Sequence, residues 1–423
     1  MRYGSRWRNH RRMFHQWFNA DVAGRYCDAQ QEHARILASL ILKDPSQTRA
    51  HVYHAISSTI FSVLYGRKIL KMDDKYLKFI EGALEGFNEA MSPGKYWIEN
   101  FPFLRHLPSW LPGANAKRVA AKYAPWVGAF LDTPFNEIRD AMRAGKASPS
   151  LTSELITYVE NKYGGTAQEN SQEQIAKDVI GIALAGGFVR TRAIPLKAVF
   201  TGGADTTASS VKSFLLAMAL HPDVQVKGQA ELDSVVGQDR LPVFDDIEQM
   251  PYVRAIVKEV LRWMPVVPFA VPHVSTEDIV INGYHIPKRT IVLPNVRQMA
   301  HDPQDYPEPE RFMPERFLNA DNTFNDNVRD PATLAFGFGR RICPGRYFAL
   351  NNIAIVVATV LHTCKIETAK DASGKPISLR TEQSSITISS PLDIPCGSKA
   401  RSESMARLVS EANAEFWAEV EQA

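Results

Sequence analysis

Apolar residues recur at three- and four-residue spacing in "DAQQEHARILASLILKD" (28–44) and "DDKYLKFIEGALEGFNEAM" (73–91). That period places them on one side of a helix, so residues 5 to 90 predict a succession of helices. Pro, Gly and Trp then gather in "SPGKYWIENFPFLRHLPSWLPGANAKR" (92–118), a long loop with apolar side chains toward solvent. Such a loop either packs on its own aromatics or offers a surface to a membrane or a channel mouth. Helical spacing returns over 115–162 and from 171. It continues in "DVQVKGQAELDSVVG", ended by Gly237, and in "MPYVRAIVKEVLRWMP", stopped by Pro265. The pattern then alternates in "VPHVSTEDIVINGYHIPKRTIVLP" (271–294), which predicts short strands. Residues 302–331 are proline-rich with little period, either an ordered meander or a disordered linker. "YFALNNIAIVVATVLHTC" is a strongly apolar helix, and short strands up to Pro395 and a polar helical tail from 401 follow. The fold class predicted is mainly α with minor β.

The chain has 423 residues, 45% of them hydrophobic, enough for one large domain or two ordinary ones. A net charge of +3 makes no global case for nucleic acid. Cys27, Cys343, Cys364 and Cys396 are scattered without a C-x-x-C pair, which argues against a disulfide framework or a zinc site. No run of 18 apolar residues encodes a transmembrane helix. The arginine-rich start "MRYGSRWRNHRRMFHQWF" fits either a transit peptide or an amphipathic helix with a basic face.

The segment "FGFGRRICPGRYFA" (336–349) sets Cys343 before Pro344, a residue suited to the first helical position. A helix N-terminus favours an anion, and Arg340, Arg341 and Arg346 add positive charge, a setting that lowers a thiol pKa. Gly337, Gly339 and Gly345 permit close approach to a flat partner. A thiolate here admits three readings: an axial ligand to a metal such as haem iron, a structural cysteine, or a nucleophile.

"FGFGRRICPG" resembles the F-x-x-G-x-R-x-C-x-G signature of the cytochrome P-450 family of haem-thiolate monooxygenases, with Phe336, Gly339, Arg341, Cys343 and Gly345 at every specified position. The resemblance implies that Cys343 is the axial iron ligand, that Arg341 pairs with a haem propionate and that Phe336 shields the thiolate. "KEVLRW" holds Glu259 and Arg262, three apart on one helix face, and "FMPERF" holds Arg316; together they resemble the family's buried structural network. "GGADTTASS" resembles the motif on the long helix over the haem. Gly202 and Gly203 would leave room for oxygen, and Asp205 and Thr206 would deliver protons. "WRNHRR" places Trp7 and Arg11 four apart, matching the family's propionate-binding helix, and His273 matches a further propionate partner. The match runs from Trp7 to about Pro395 and looks most like enzymes of fungal specialised metabolism.

Three departures stand out. Trp7 comes early, so an anchor, a proline-rich hinge, early strands and the loop over the substrate pocket are expected to be missing; a fragment or a misassigned start would account for this. "LAGGFVRTRAIPLKAV" (184–199) intervenes where "AKDVIGIA" should run straight into "FTGGADTT", as an unspliced insertion would. Arg297 stands where the family has tryptophan. The expected organisation is one haem-thiolate domain over 1–400, with 184–199 inserted, and a helical tail over 401–423. The resemblance implies haem b, O2, and NADPH through a reductase docking near Arg8, Arg12, Arg340 and Arg346. It also implies a lipophilic substrate and the cytosolic face of the endoplasmic reticulum; with no anchor in this chain, it would be soluble or peripheral, attached through Phe101–Leu111. Two rivals are a peroxide-using or isomerising haem-thiolate enzyme and a catalytically impaired remnant.

Overall fold

The structure, a computed structural model, describes residues 3–90, 95–99, 101–190, 197–201, 203–384 and 388–422. The basic N-terminal segment is a helix, α1 (Ser5–Phe18). It buries Met13, Phe14 and Phe18 while Arg6, Arg8 and Arg12 face solvent. Next come α2 (Cys27–Lys43), α3 (Thr48–Tyr65) and α4 (Lys75–Ala90). α3 stops at Gly66, whose φ of 62° a side chain would resist.

The aromatic loop contains only short 3-10 turns, with Trp97, Phe103 and Trp110 more than 60% exposed. The helical period expected across 115–162 is divided in two. α5 (Asn115–Arg143) ends before Gly145, at φ 67°, and α6 (Leu151–Tyr163) starts at Ser150, whose Oγ accepts from the Ser153 N–H at 3.2 Å. α7 (Glu169–Ala185) follows. A two-stranded antiparallel hairpin, β1 (Gly186–Arg190) and β2 (Lys197–Thr201), then separates it from α8 (Ala204–Leu220).

The chain continues through α9 (Pro222–Val235), the single turn α10 (Phe244–Ile247) and α11 (Pro251–Trp263). Gly237 takes φ 79° just past α9. The alternating segment forms β3 (His273–Val274), β4 (Ile279–Ile281), β5 (Tyr284–Ile286) and β6 (Ile291–Val292), with β3 paired to β6 and β4 to β5. After the short α12 (Val296–Ala300), residues 302–331 form an ordered meander that buries Tyr306, Phe312 and Phe317. The short α13 (Ala332–Ala335) precedes α14 (Arg346–Thr363). β7 (Cys364–Lys365) and β8 (Lys399–Ala400) pair, and α15 (Glu403–Ala412) and α16 (Ala414–Gln422) end the chain. Between β7 and β8, the described residues hold isolated bridges, not the expected strands. Pro376, Pro391 and Pro395 cannot donate to a ladder.

Two large apolar cores result, with smaller clusters beside them. One joins α2, α3, α8, α9, α11 and α14; the other joins α1, α3, α4, α5, α6 and α7. α8 and α14 are buried on nearly all sides, α8 with the small hydroxyl residues Thr207, Ser209, Ser210 and Ser213 inside. α3 borders both cores. The strand region differs: Val271, Val274, Ile291 and Leu293 are each more than half exposed.

Candidate active site

Cys343 lies on the loop between α13 and α14. The loop is closed by its own backbone: the Cys343 N–H donates to the Phe336 carbonyl at 2.7 Å. α14 starts later than the proline predicted, because Gly345 is its N-cap and Pro344 stands outside the helix. Gly337 and Gly339 adopt φ of 76° and 56°, the conformation that lets the loop fold back before the cysteine.

α1 crosses this loop. Arg11 Nη1 donates to the Ile342 carbonyl at 2.7 Å, a bond between residues 331 apart in sequence. The Arg341 guanidinium lies 4.7 Å from the Trp7 ring centroid, a cation–π contact. Arg346 Nη1 donates to the Cys343 carbonyl at 3.3 Å. Trp7, Arg11, Arg341, Cys343 and Gly345 are therefore brought together, with Phe336 and Gly339 in the same loop. His273 is half-buried on β3, and no hydrogen bond or ion pair joins it to this group among the described residues.

The electrostatics of the thiol differ from the expectation. Burial is the largest effect and pushes the Cys343 pKa up; the Gly345 N–H and the Arg11 and Arg346 guanidiniums pull against it without winning. The Arg11 and Arg341 pKa values are lowered by burial, though a guanidinium stays charged. The donor set fits haem iron. A metal cation bound at this sulfur would make the thiolate favourable, and the nearby Arg11 and Arg341 guanidiniums have the charge to suit carboxylates.

The structural network is closed. Arg262 binds Glu259 through Nε at 2.7 Å and Nη2 at 2.8 Å, and Arg316 Nε reaches Glu259 Oε1 at 3.2 Å. The Met313 N–H donates to the same oxygen at 2.7 Å. The remaining guanidinium protons go to the Ala300 carbonyl at the end of α12 and to the carbonyls of Pro307, Glu308, Pro309 and Arg311 along the meander. A buried carboxylate shared by two guanidiniums ties α11 to the loop path that leads to Cys343.

Asp205 and Thr206 occupy the first turn of α8, both half-buried. Gly202 lies outside the described residues. Gly203 lacks a Cβ for a reason besides oxygen access: one would run into the carbonyl oxygens of Ala183 and Leu184 at the end of α7. α7 and α8 thus approach each other at the base of the β1–β2 hairpin. Residues the sequence reading passed over include Tyr3, whose ring lies 4.8 Å from Trp7 and whose hydroxyl accepts from Arg340 Nη1 at 3.3 Å.

Two overlapping stretches of the chain, residues 1–200 and 194–395, match the family Cytochrome P450, and their junction falls on the hairpin. The cytochrome P450 monooxygenase COX1 of Coprinopsis cinerea is 37% identical over 415 residues, 97% of this chain and 76% of that protein. COX2 of the same fungus is 37% identical over 407 residues, 96% of this chain and 74% of the relative. The tryptamine 4-monooxygenase of Psilocybe cyanescens is 35% identical over 378 residues, 89% and 70% of the two chains. With loop, network and relatives in agreement, the chain belongs to the cytochrome P450 family of oxygen-incorporating oxidoreductases.

Proposed function

We propose that Cys343 holds haem iron as a thiolate and that the chain inserts one oxygen atom of O2 into a lipophilic organic substrate. Arg11 and Arg341 would pair with the propionates, Trp7 would brace Arg341, and Phe336 and Gly339 would shape the loop beneath the ring. The observation that carries this reading is the convergence of α1 on the cysteine loop through the Arg11–Ile342 bond at 2.7 Å. The haem, when bound, supplies the site for dioxygen and the electron push from sulfur. The protein's own part is proton handling at the Asp205 carboxyl and the Thr206 hydroxyl, and exclusion of water by α8. Glu259, Arg262 and Arg316 hold the meander and take no part in the chemistry. His273 keeps its assignment as a propionate partner on sequence grounds alone.

Electrons come, on this reading, from an NADPH-dependent reductase. Arg8, Arg12 and Arg340 are exposed near the cysteine loop and suit an acidic partner. Arg346 is less available, since Nη2 is bound to the Tyr347 hydroxyl at 2.7 Å. No helix among the described residues is long and apolar enough to cross a membrane. The exposed Trp97, Phe101, Phe103 and Trp110 supply the surface for peripheral attachment to the endoplasmic reticulum. The deciding experiment is the carbon-monoxide difference spectrum of the reduced, haem-loaded chain. A Soret band at the thiolate position is expected, with substrate turnover that requires NADPH and reductase. Turnover with peroxide alone would favour the peroxide-using alternative.

A second reading has its own support. The Gly203 contact with the end of α7 favours 184–199 as an insertion into a once continuous helix, within a single haem domain over 1–400, and the family match comes in two stretches that overlap at 194–200. Such an insertion would impair catalysis. Deleting the sixteen residues should raise haem occupancy and strengthen the thiolate band; a weaker band would overturn this.

A further inference from the structure

A seam of buried polar side chains runs along α2, which packs against both α3 and α14, and among the described residues many of its atoms have no well-aligned hydrogen-bond partner. His54 makes no well-aligned hydrogen bond at either ring nitrogen, though the Ile69 backbone acts on it, and Ser57 Oγ and the Tyr53 hydroxyl have no well-aligned partner beyond their own mutual contact, all on α3. Gln30 on α2 gives its amide nitrogen to the Phe348 carbonyl at 2.9 Å but leaves Oε1 unmatched. Asn352, one turn beyond Phe348 on α14, leaves both amide atoms unmatched. Gln30, His54, Ser57 and Asn352 are at most 2% exposed. Each buried group without a partner costs about 1–3 kcal/mol, and buried water is the ordinary remedy in a polar site.

The seam has two ends. At the outer end, His33 lies one turn past Gln30 and feels the charges of Glu32 and Lys68, whose ion pair of 3.1 Å is exposed. His33 and His54 also feel each other. Along α3, Ser57 follows His54 by three residues and Tyr53 by four, so Ser57 neighbours each of them on the helix surface. At the inner end, the charge that Tyr53 feels most is Asp205, in the first turn of α8, which packs against α3.

We propose that His54, Ser57 and Tyr53, with ordered water between them, form a proton track from the surface at Glu32 and Lys68 to Asp205. The proposal rests on the reading of Asp205 as the acid that handles protons. Each hop moves one proton and no electrons. Bulk water supplies the proton at the outer end, and the Asp205 carboxylate receives it at the inner end. Burial holds His54 down to about 4, so its ring is neutral near pH 7 and takes a proton on one nitrogen as it releases one from the other. The Tyr53 and Ser57 hydroxyls pass protons as donor and acceptor without ionising. These three are positioning groups for Asp205 and do not touch the reacting atoms.

A high-resolution crystal structure of the full haem-loaded chain tests the track directly. Ordered waters are expected within hydrogen-bond distance of Ser57 Oγ, a His54 nitrogen and the Tyr53 hydroxyl. A dry seam, in a chain that gives the thiolate band, overturns the track and leaves the haem reading standing. Ultraviolet titration supplies a second readout that needs no turnover. The Tyr53 phenol, isolated as the difference between each protein and its Tyr53→Phe variant, should titrate lower in Asp205→Asn; no change would sink the link between the two. In the reductase-supplied enzyme, Tyr53→Phe should slow oxygen consumption about tenfold with the thiolate band unaltered, and an unchanged rate would overturn the proposal. A chain with the seam waters but no thiolate band would instead overturn the haem reading, and with it the purpose of the track.

Discussion

The network around Glu259 and the seam around His54 are both buried and polar, yet they are built on opposite principles. Glu259, Arg262 and Arg316 keep no buried side-chain nitrogen or oxygen without a partner among the described residues, and the guanidiniums donate their spare protons to backbone carbonyls, most of them in the meander. The seam leaves Gln30, His54, Ser57 and Asn352 each with an unmatched atom. A fully paired network fixes one geometry; a half-paired one has room for mobile partners such as water. The first therefore belongs to the support of the cysteine loop, and the second to transport.

The sharpest way to break the comparison is Glu259→Ala. Two buried guanidiniums would lose their shared counter-charge, at about 3–5 kcal/mol. The denaturant midpoint should fall steeply and haem should be lost with it. A near-neutral result would mean that the network is ornamental. The next test is acid. His54 is held down to about 4 by burial, helped by His33 and His51 and opposed by the Ile69 backbone and by Asp74. Between that value and the free histidine's ~6.5, the unfolded chain binds the extra proton, so stability is full above about pH 6.5 and falls as pH drops toward 4. One such group contributes up to roughly 3 kcal/mol. His33 and His51, lowered mainly by burial, act with the same sign. His54→Leu should flatten the decline of the urea midpoint between neutral and mildly acidic pH; an equally steep decline would remove His54 from the cause.

Gly203→Ala comes third. Its new methyl meets backbone oxygens of α7, which cannot swing aside, so destabilisation of about 1–3 kcal/mol is expected in thermal melts. The smallest effect is set by the Arg25–Glu154 pair at 2.5 Å, whose side chains are 39% and 38% exposed. Glu154→Gln should change stability by less than about 1 kcal/mol, a surface control for Glu259.

The cysteine loop and the Glu259 network were legible from the chain because their residues sit at fixed offsets in long motifs. The start of α14 was misplaced because Pro344 satisfies the rule for a first helical residue, while Gly345 takes the cap. The thiol was expected low from the nearby arginines; burial, which a linear sequence does not display, outweighs them. Strands expected between β7 and β8 gave way to isolated bridges, since alternation cannot supply the N–H groups that prolines lack. The seam was invisible for a related reason. Tyr53, His54 and Ser57 lie within a helix whose burial on nearly every side emerges only when α2, α6, α7 and α8 close around it.

Iron-edge X-ray absorption on the haem-loaded chain tests the central claim most directly. Sulfur should appear in the first shell of the iron in the wild-type protein and vanish in Cys343→Ser while the helical fold persists. A sulfur neighbour that survives the substitution, or none in the wild type, would contradict the assignment of Cys343.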